Sequence, residues 1–441
     1  MKKHLTIVIK LGTSSIVDEK SHEPLLSILS TIVETACALQ KDGHRVVIVS
    51  SGAIGVALGH MSLERRPKHL PQVQALAAIG QCKLMSLWDQ LFMHRRQPIA
   101  QILLTRNDIA DRTQYLNAQN TFIELLHMGV IPIVNENDTL SVAEIKFGDN
   151  DTLSAITAGM VQADYLFLMT DVDCLYDKNP RTNPDAKAIE VVEDISTLVA
   201  DVSSAGSAVG TGGMATKIVA ARLATSAGVT TVITRSSKPG NIASIVRPPL
   251  SPPAGELSSD ASSLLKRAVI NGADGPAEPK LDAPSQPPLH TRFLPDLHPI
   301  RDRYFWLLHG LAPHGTVYID SGAHAALADK AGLLPVGVVD AEGSFAQQEC
   351  VRIVVVKRLH RGSGEYERAD PPPIEVGRAI VNYSVAEVKR IRGCKSTEIS
   401  AVLGYADSEY VALRENIAFL NRESRPGTPN RMSRSQELEV R

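Results

Sequence analysis

Paired cysteines, net charge and long apolar runs are all missing from this chain, and each absence closes off a class of protein. The five cysteines among 441 residues (Cys37, Cys82, Cys174, Cys350 and Cys394) are odd in number, widely spread and without a C-x-x-C pair. That argues against a disulfide framework or a zinc site and fits a reducing cytosol. A formal net charge of -2 gives no global attraction to nucleic acid or an anionic membrane, so partners must be sought at local sites. The first apolar stretch ends at Lys10 after about five residues, too short for a signal-peptide core. No uncharged apolar run approaches the roughly 20 residues that span a bilayer. With 44% hydrophobic and 21% charged residues, the chain reads as a soluble, cytoplasmic protein long enough for two domains with separate cores.

What is present is alternation. Between residues 6 and 234, short β-branched runs (residues 6–9, 45–49, 99–103, 130–134, 165–169 and 230–234) alternate with longer segments of helical spacing. This pattern predicts an α/β domain with a mainly parallel sheet covered by helices. Gly43, Gly129 and Gly228 each precede a strand and follow a predicted helix, where a left-handed C-cap suits glycine. Eleven of the 26 prolines then fall between Pro248 and Pro299, which predicts a Pro-rich linker or insertion. Short alternating runs at 316–319, 335–339, 350–356 and 378–381 predict a small β-rich domain after it. The expected division is 1–247 for the first domain, 248–300 for the linker, 301–415 for the second domain and 416–441 for a disordered tail.

The polar residues of the first domain gather at or beyond the carboxyl ends of the predicted strands, where open α/β sheets place ligands. Lys10-Leu11-Gly12-Thr13-Ser14 follows the first run: Gly12 lets backbone N–H groups approach a phosphate and Lys10 supplies a point charge, unless both are merely structural. Ser50-Ser51-Gly52-Ala53 suits either a closely approaching ligand or a capped helix. Asn135-Glu136-Asn137-Asp138 ends the fourth run, and Gly148-Asp149-Asn150-Asp151-Thr152 opens a predicted helix through Leu153, Ile156 and Met160, with Asn150 or Asp151 as its N-cap. Two such clusters can bind an ammonium group or organise lysines and Mg2+, while an Asn/Asp turn alone needs neither. Thr170-Asp171 ends the fifth run and either contacts a nucleotide or caps the next segment. Gly210-Thr211-Gly212-Gly213-Met214-Ala215-Thr216-Lys217 is the most distinctive string: three glycines before an Ala-rich helical stretch form an anion-binding helix start with Lys217 at its mouth.

Two further absences sharpen the reading. There is neither a Walker A loop nor a G-x-G-x-x-G fingerprint in the first crossover. No histidine or cysteine sits among these strings to act as a general base. An acceptor that is already ionised at neutral pH, such as a carboxylate with a pKa of about 4.3, needs none. Lys10 and Lys217 are suited to neutralising a phosphoryl group in flight.

Taken in this order, the strings at Lys10 to Ser14, Ser51 to Ala53, Asn135 to Asp138, Gly148 to Asp151 and Gly210 to Lys217 resemble those of the glutamate 5-kinases of the amino acid kinase superfamily, over about residues 5 to 245. The resemblance implies a three-layer αβα fold and ATP with Mg2+ as cofactors. It also implies phosphorylation of the L-glutamate side-chain carboxylate to L-glutamyl 5-phosphate, the first step of proline biosynthesis, with feedback inhibition by proline. It implies catalytic roles for Lys10 and Lys217, with Asp151 aligning them, and glutamate binding by Ser51, Asn135, Asp138 and Asn150. ATP contacts fall to Lys10, Gly12, Thr170, Asp171, Thr211, Gly212, Gly213, Met214 and Lys217. It leaves the Mg2+ ligands open, and implies a homo-oligomer, dimer or tetramer, with a separate glutamyl-phosphate reductase consuming the product. The segment from Gly315 to Tyr405 resembles a PUA domain, a small β-rich pseudo-barrel. Its basic run Lys357-Arg358-Leu359-His360-Arg361 either meets RNA phosphates or, the reading favoured here, is a solvated hairpin. The alternatives are another amino acid kinase, acting on aspartate or acetylglutamate, and an RNA-binding module with an inactive kinase domain. The C-terminal domain and the Asn135 to Asp138 string speak against the first, and intact Lys10 and Lys217 against the second.

Overall fold

A computed structural model describes residues 4–140, 150–180, 182–195, 198, 213–246, 287–297, 299–300, 302–359, 365–367 and 375–420. Among the described residues, ten strands belong to the N-terminal part: β1 (Thr6–Leu11), β2 (Arg45–Ser50), β3 (Ile99–Leu104), β4 (Ile131–Glu136), β5 (Tyr165–Thr170), β6 (Leu175–Tyr176), β7 (Ala188–Ile189), β8 (Val191–Val192), β9 (Thr230–Arg235) and β10 (Thr291–Phe293). Eight of them form one sheet in the order β3-β4-β2-β1-β5-β9-β10-β8, and β6 pairs separately with β7. All neighbours in the large sheet are parallel except β9 and β10.

The strands read as almost unbroken apolar runs because helices cover both faces. Period-2 alternation divides their side chains between two cores. Ile7, Ile9, Leu11, Val46 and Ile48 face one core, with α1 (Leu26–Lys41), α3 (Leu70–Met93) and α8 (Asn241–Val246). Val8, Val47 and Val49 face the other, with α5 (Arg112–His127), α6 (Asn150–Met160) and α7 (Met214–Ser226). The result is a three-layer αβα domain. Gly43, Gly129 and Gly228 have φ of 91°, 74° and 84°, the left-handed conformation predicted for them.

Several boundaries differ from the sequence pattern. Lys10 and Leu11 lie inside β1 rather than after it, because their backbones continue the ladder, with Lys10 opposite Val49 and Leu168. Asn135 and Glu136 likewise continue β4, opposite Leu103 and Leu104 of β3, so only the second half of that string is a turn. Asn150 and Asp151 are the first two residues of α6, inside the helix rather than capping it. Thr291–Phe293, within the span assigned to the Pro-rich linker, is a strand of the large sheet. Three residues are too few to show alternation; what holds them is Phe293 in the core and Thr291, whose hydroxyl donates to Ile189 O at 2.6 Å and accepts from Leu175 N at 2.7 Å. Ile417–Phe419, within the span 416–441 assigned to a disordered tail, is likewise a strand, held by its pairing in the C-terminal sheet. Most of the linker, residues 247–286, and the residues from 421 lie outside the described residues.

The C-terminal domain is a five-stranded sheet, β12-β11-β13-β14-β15, built from β11 (Gly315–Ile319), β12 (Val338–Gly343), β13 (Cys350–Val355), β14 (Glu375–Ile380) and β15 (Ile417–Phe419), with its own core around Val317, Ile353 and Tyr383. Residues 335–337, expected as strand, form a 3-10 turn instead, since Pro335 has no N–H to give to a ladder. Of the basic run, Lys357 pairs with Glu367 at 2.7 Å, and Arg358 pairs with Asp320 at 2.9 Å and donates to Val336 O and Val338 O. Arg358 is therefore a structural residue of this domain; His360 and Arg361 lie outside the described residues.

A short segment joins the two parts. Helix Asp302–Phe305 continues into a π-turn at Trp306–Gly310. Phe305, Trp306, Leu307 and Leu308 are buried in the core beside α5, α6 and α7. Trp306 donates its indole N–H to Ile109 O at 3.0 Å. A side chain at Gly159 of α6 would meet the Phe305 ring, with its Cβ only 2.4 Å away. On the other side, Arg378 of β14 donates to Leu308 O and Leu311 O, and Arg303 donates to Asn416 Oδ1.

Candidate active site

The loops at the carboxyl edge of the large sheet bring the charged residues together. Lys10 points from β1 toward the first turn of α6, and Lys217 reaches the same place from the first turns of α7. Between them lies Asp151. Its Oδ1 is ion-paired with Lys10 Nζ, and its Oδ2 lies 3.4 Å from Lys217 Nζ. The Thr216 hydroxyl donates to the same Oδ2 at 2.7 Å. All three charged side chains are sequestered: Lys10 is 3% exposed, Lys217 7% and Asp151 0%. Burial by itself would push the Asp151 carboxyl up, but the ammonium groups of Lys10 and then Lys217, with hydrogen bonds from Lys10 and Thr216, hold it below its ordinary range. The carboxylate therefore stays ionised and holds two ammonium groups close together. Two positive charges against one negative leave an anion-attracting centre in a low-dielectric setting.

Glycines flank that centre. Gly12 has an ordinary backbone conformation, φ -76°, and a Cβ there would stand 3.9 Å from Lys10 Nζ, an ordinary contact distance. Gly213 precedes α7, and its N–H donates to the Thr216 hydroxyl at 3.0 Å. Met214, the first residue of α7, packs against the core. Thr211 and Gly212 lie outside the described residues.

Beside the charges is a set of amides. Ser51 follows β2, its N–H donating to Leu11 O at 3.0 Å. Gly52 then turns the chain with φ 100°, where a Cβ would lie 2.9 Å from Ile16, so glycine is required there. Asn150 Nδ2 donates both to Ser51 Oγ and to Asn135 Oδ1, each at 2.9 Å. Asn135 Nδ2 in turn donates to Gln81 Oε1 at 2.8 Å. Asn150 Oδ1 is buried and has no hydrogen-bond partner among the described residues. A buried acceptor left open in this way suits a ligand that carries N–H groups. Asp138 sits partly exposed just past the end of β4.

Thr170 ends β5 on the far side of Lys10. Its hydroxyl donates to Asp171 at 3.1 Å, and its carbonyl accepts from Ser236 N at 2.6 Å. The neighbouring Arg235 forms a bidentate pair with Asp173, at 2.8 and 2.7 Å. Neither this pair nor Gln81 stands out in the sequence, because each is made by residues far apart in the chain with no local motif. Among the described residues no group of three or more His, Cys, Asp or Glu side chains is placed to hold a metal ion, and no helix is long and apolar enough to cross a membrane.

Residues 5–235 match the amino acid kinase family, and residues 315–403 match the PUA domain. The chain is 54% identical over 416 residues to the probable glutamate 5-kinase of Schizosaccharomyces pombe, covering 94% of this chain and 93% of that one. It is 43% identical over 418 residues to the glutamate 5-kinase of Nostoc punctiforme, covering 94% and 99%. Among solved structures, the product complex of T. acidophilum isopentenyl phosphate kinase is similar with a TM-score of 0.40 at 15% identity, over 55% of this chain and 96% of that one.

Proposed function

The chain belongs to the amino acid kinase family and, within it, to the glutamate 5-kinases, and from that premise we propose that it transfers the γ-phosphoryl group of ATP to the side-chain carboxylate of L-glutamate. The observation that carries this reading is the buried Lys10–Asp151–Lys217 centre directly beside the Asn150 amide, with its unfilled acceptor. A glutamate carboxylate oxygen attacks the γ-phosphorus while the bond to the β–γ bridging oxygen breaks, giving L-glutamyl 5-phosphate and ADP. No proton moves, because the attacking carboxylate is already ionised at neutral pH. Lys10 and Lys217 stabilise the charge on the transferring group, and Asp151 keeps their two ammonium groups from separating. Gly12, Gly213, Met214, Thr170 and Asp171 take ATP, a role the sequence also assigns to Thr211 and Gly212, which lie outside the described residues. Ser51, Asn135, Asn150 and Asp138 take glutamate, its α-ammonium group meeting Asn150 Oδ1 and the Asp138 carboxylate.

The donor set fits a phosphate chain better than a protein-caged cation, since both oxygens of Asp151 already face cations or the Thr216 hydroxyl. Mg2+ would be supplied with ATP and would neutralise phosphate charge. In this reading the product opens proline biosynthesis, proline inhibits, a separate glutamyl-phosphate reductase consumes the acyl phosphate, and the enzyme works as a dimer or tetramer. Lys357 and Arg358 are paired with Glu367 and Asp320 within the C-terminal domain, which favours a structural role for the basic run over RNA binding.

The test is glutamate-dependent ADP release from Mg-ATP with the acyl phosphate trapped by hydroxylamine, with aspartate and acetylglutamate in parallel. Hydroxamate from glutamate alone supports the proposal, and its absence from folded protein overturns it. Within the same assay, Asp138→Ala should raise KM for glutamate about ten-fold, the loss of one charge-assisted contact, with kcat within about three-fold. An unchanged KM for glutamate removes Asp138 from the binding site.

A further inference from the structure

Helix α3 braces the carboxyl edge of the sheet. At Gly80 it comes into backbone contact with the start of α2 (Ala53–His60): a Cβ there would stand 1.7 Å from Ala53 O. That approach delivers the next residue, Gln81, to Asn135 at the end of β4, and two turns later it lets Trp88 donate to Ser50 Oγ at 3.1 Å. Gln81 is half-buried and belongs to none of the motifs above.

Hydrogen-bond polarity defines what Gln81 does. The backbone N–H of Glu136 can only donate, so the Asn135 atom it meets at 2.9 Å is the carbonyl oxygen. The Asn135 NH2 therefore points to Gln81, whose Oε1 accepts it at 2.8 Å. With that orientation held, Asn135 Oδ1 also accepts from Asn150 Nδ2, and the second proton of Nδ2 goes to Ser51. Both donors of Asn150 are thereby spent on protein, and its buried carbonyl oxygen is the atom left without a partner among the described residues. Without an acceptor at position 81, the Asn135 NH2 loses its partner, and the orientation that fixes Asn150 loses one of its restraints.

We infer that Gln81 is a positioning residue for substrate, fixing through Asn135 the orientation of the Asn150 amide that receives the amino-acid ammonium group. It touches no reacting atom. The inference rests on the glutamate reading above and adds to it where specificity for the ammonium group originates: in a relay anchored on α3.

The test uses the full chain with two substitutions of similar length. Gln81→Met removes the acceptor and Gln81→Glu keeps one. Gln81→Met should raise KM for glutamate about five-fold, the effect of one hydrogen bond, with kcat and KM for ATP within about two-fold of the unsubstituted enzyme. Gln81→Glu should return KM for glutamate to within about two-fold, because its carboxylate accepts from the same NH2. The inference falls if Gln81→Met leaves KM for glutamate unchanged. It falls equally if both variants are impaired alike, or if both Michaelis constants and the melting temperature shift together, as general loosening of α3 would produce. An unsubstituted chain that forms no product from glutamate overturns the functional reading and this inference with it, whereas full activity alongside an unaffected Gln81→Met overturns the inference alone.

Discussion

Lys217→Ala should lower kcat about a thousand-fold, the upper range for losing one preorganised charge donor to a transition state. KM for glutamate should move by less than about three-fold. Three observations set the size of this effect. Lys217 is buried, so its charge acts with little solvent screening. It stands on the first turns of α7, where the helix start adds to the same positive field. It shares Asp151 with Lys10, so its Nζ is held in place before substrate arrives. Steady-state kinetics with a circular-dichroism check of folding decide the matter: a folded variant with unaltered turnover removes Lys217 from the chemistry. Lys217→Arg should not restore the rate, because a planar guanidinium cannot take the compact place of an ammonium group between Asp151 and a phosphate.

The second large effect is on stability as well as rate. Asp151→Ala leaves two ammonium groups buried side by side with no counter-charge, and breaking a buried pair in this way costs about 3–5 kcal/mol. Asp151→Asn, which keeps an acceptor for the Thr216 hydroxyl, should cost less while still abolishing most turnover. The two variants also predict a pH signature. In the native protein the Asp151 carboxyl is held below its ordinary range, so its contribution to stability is fully present above the unfolded value of about 3.9 and is lost as pH falls through the native one. The stability gap between the native protein and Asp151→Asn should therefore be constant near neutrality and narrow below about pH 4. Urea denaturation at the two pH values measures it; a gap that widens in acid refutes the assignment of Asp151 as the ionised partner of both lysines.

Much of this molecule is legible in its sequence, and what is not has identifiable causes. Five of the six long strands of the first sheet announce themselves as β-branched, largely apolar runs because they are buried on both faces, while β3 at the sheet edge is only partly buried. Gly43, Gly129 and Gly228 mark helix ends through a backbone conformation that few other residues adopt. The charged centre is legible because Lys10, Asp151 and Lys217 each belong to a recognisable local string. Its completion is not. Gln81 lies in an ordinary helical stretch, and only the close approach of α3 at Gly80 brings it to Asn135. The strand Thr291–Phe293 is too short for any periodicity, and tertiary partners alone make it a strand. Where a strand ends is similarly decided by its neighbours, which is why Lys10 and Asn135 prove to be strand residues.

The joining segment makes the covalent order of the chain differ from its order in space. Phe293, near the end of the Pro-rich stretch, and the run Phe305 to Leu308, after it, fill the core of the domain that precedes that stretch. One backbone cut between Val246 and Pro287 would thus yield two pieces, neither with a complete interior, that remain clasped to each other like a ribonuclease-style complemented pair. They would migrate as one particle in gel filtration and as two bands once denatured. Residue 246 is therefore a poor place to divide this protein: a kinase half ending there would leave Gly159, near the far end of the helix that begins with Asn150 and Asp151, facing a hole where the Phe305 ring belongs.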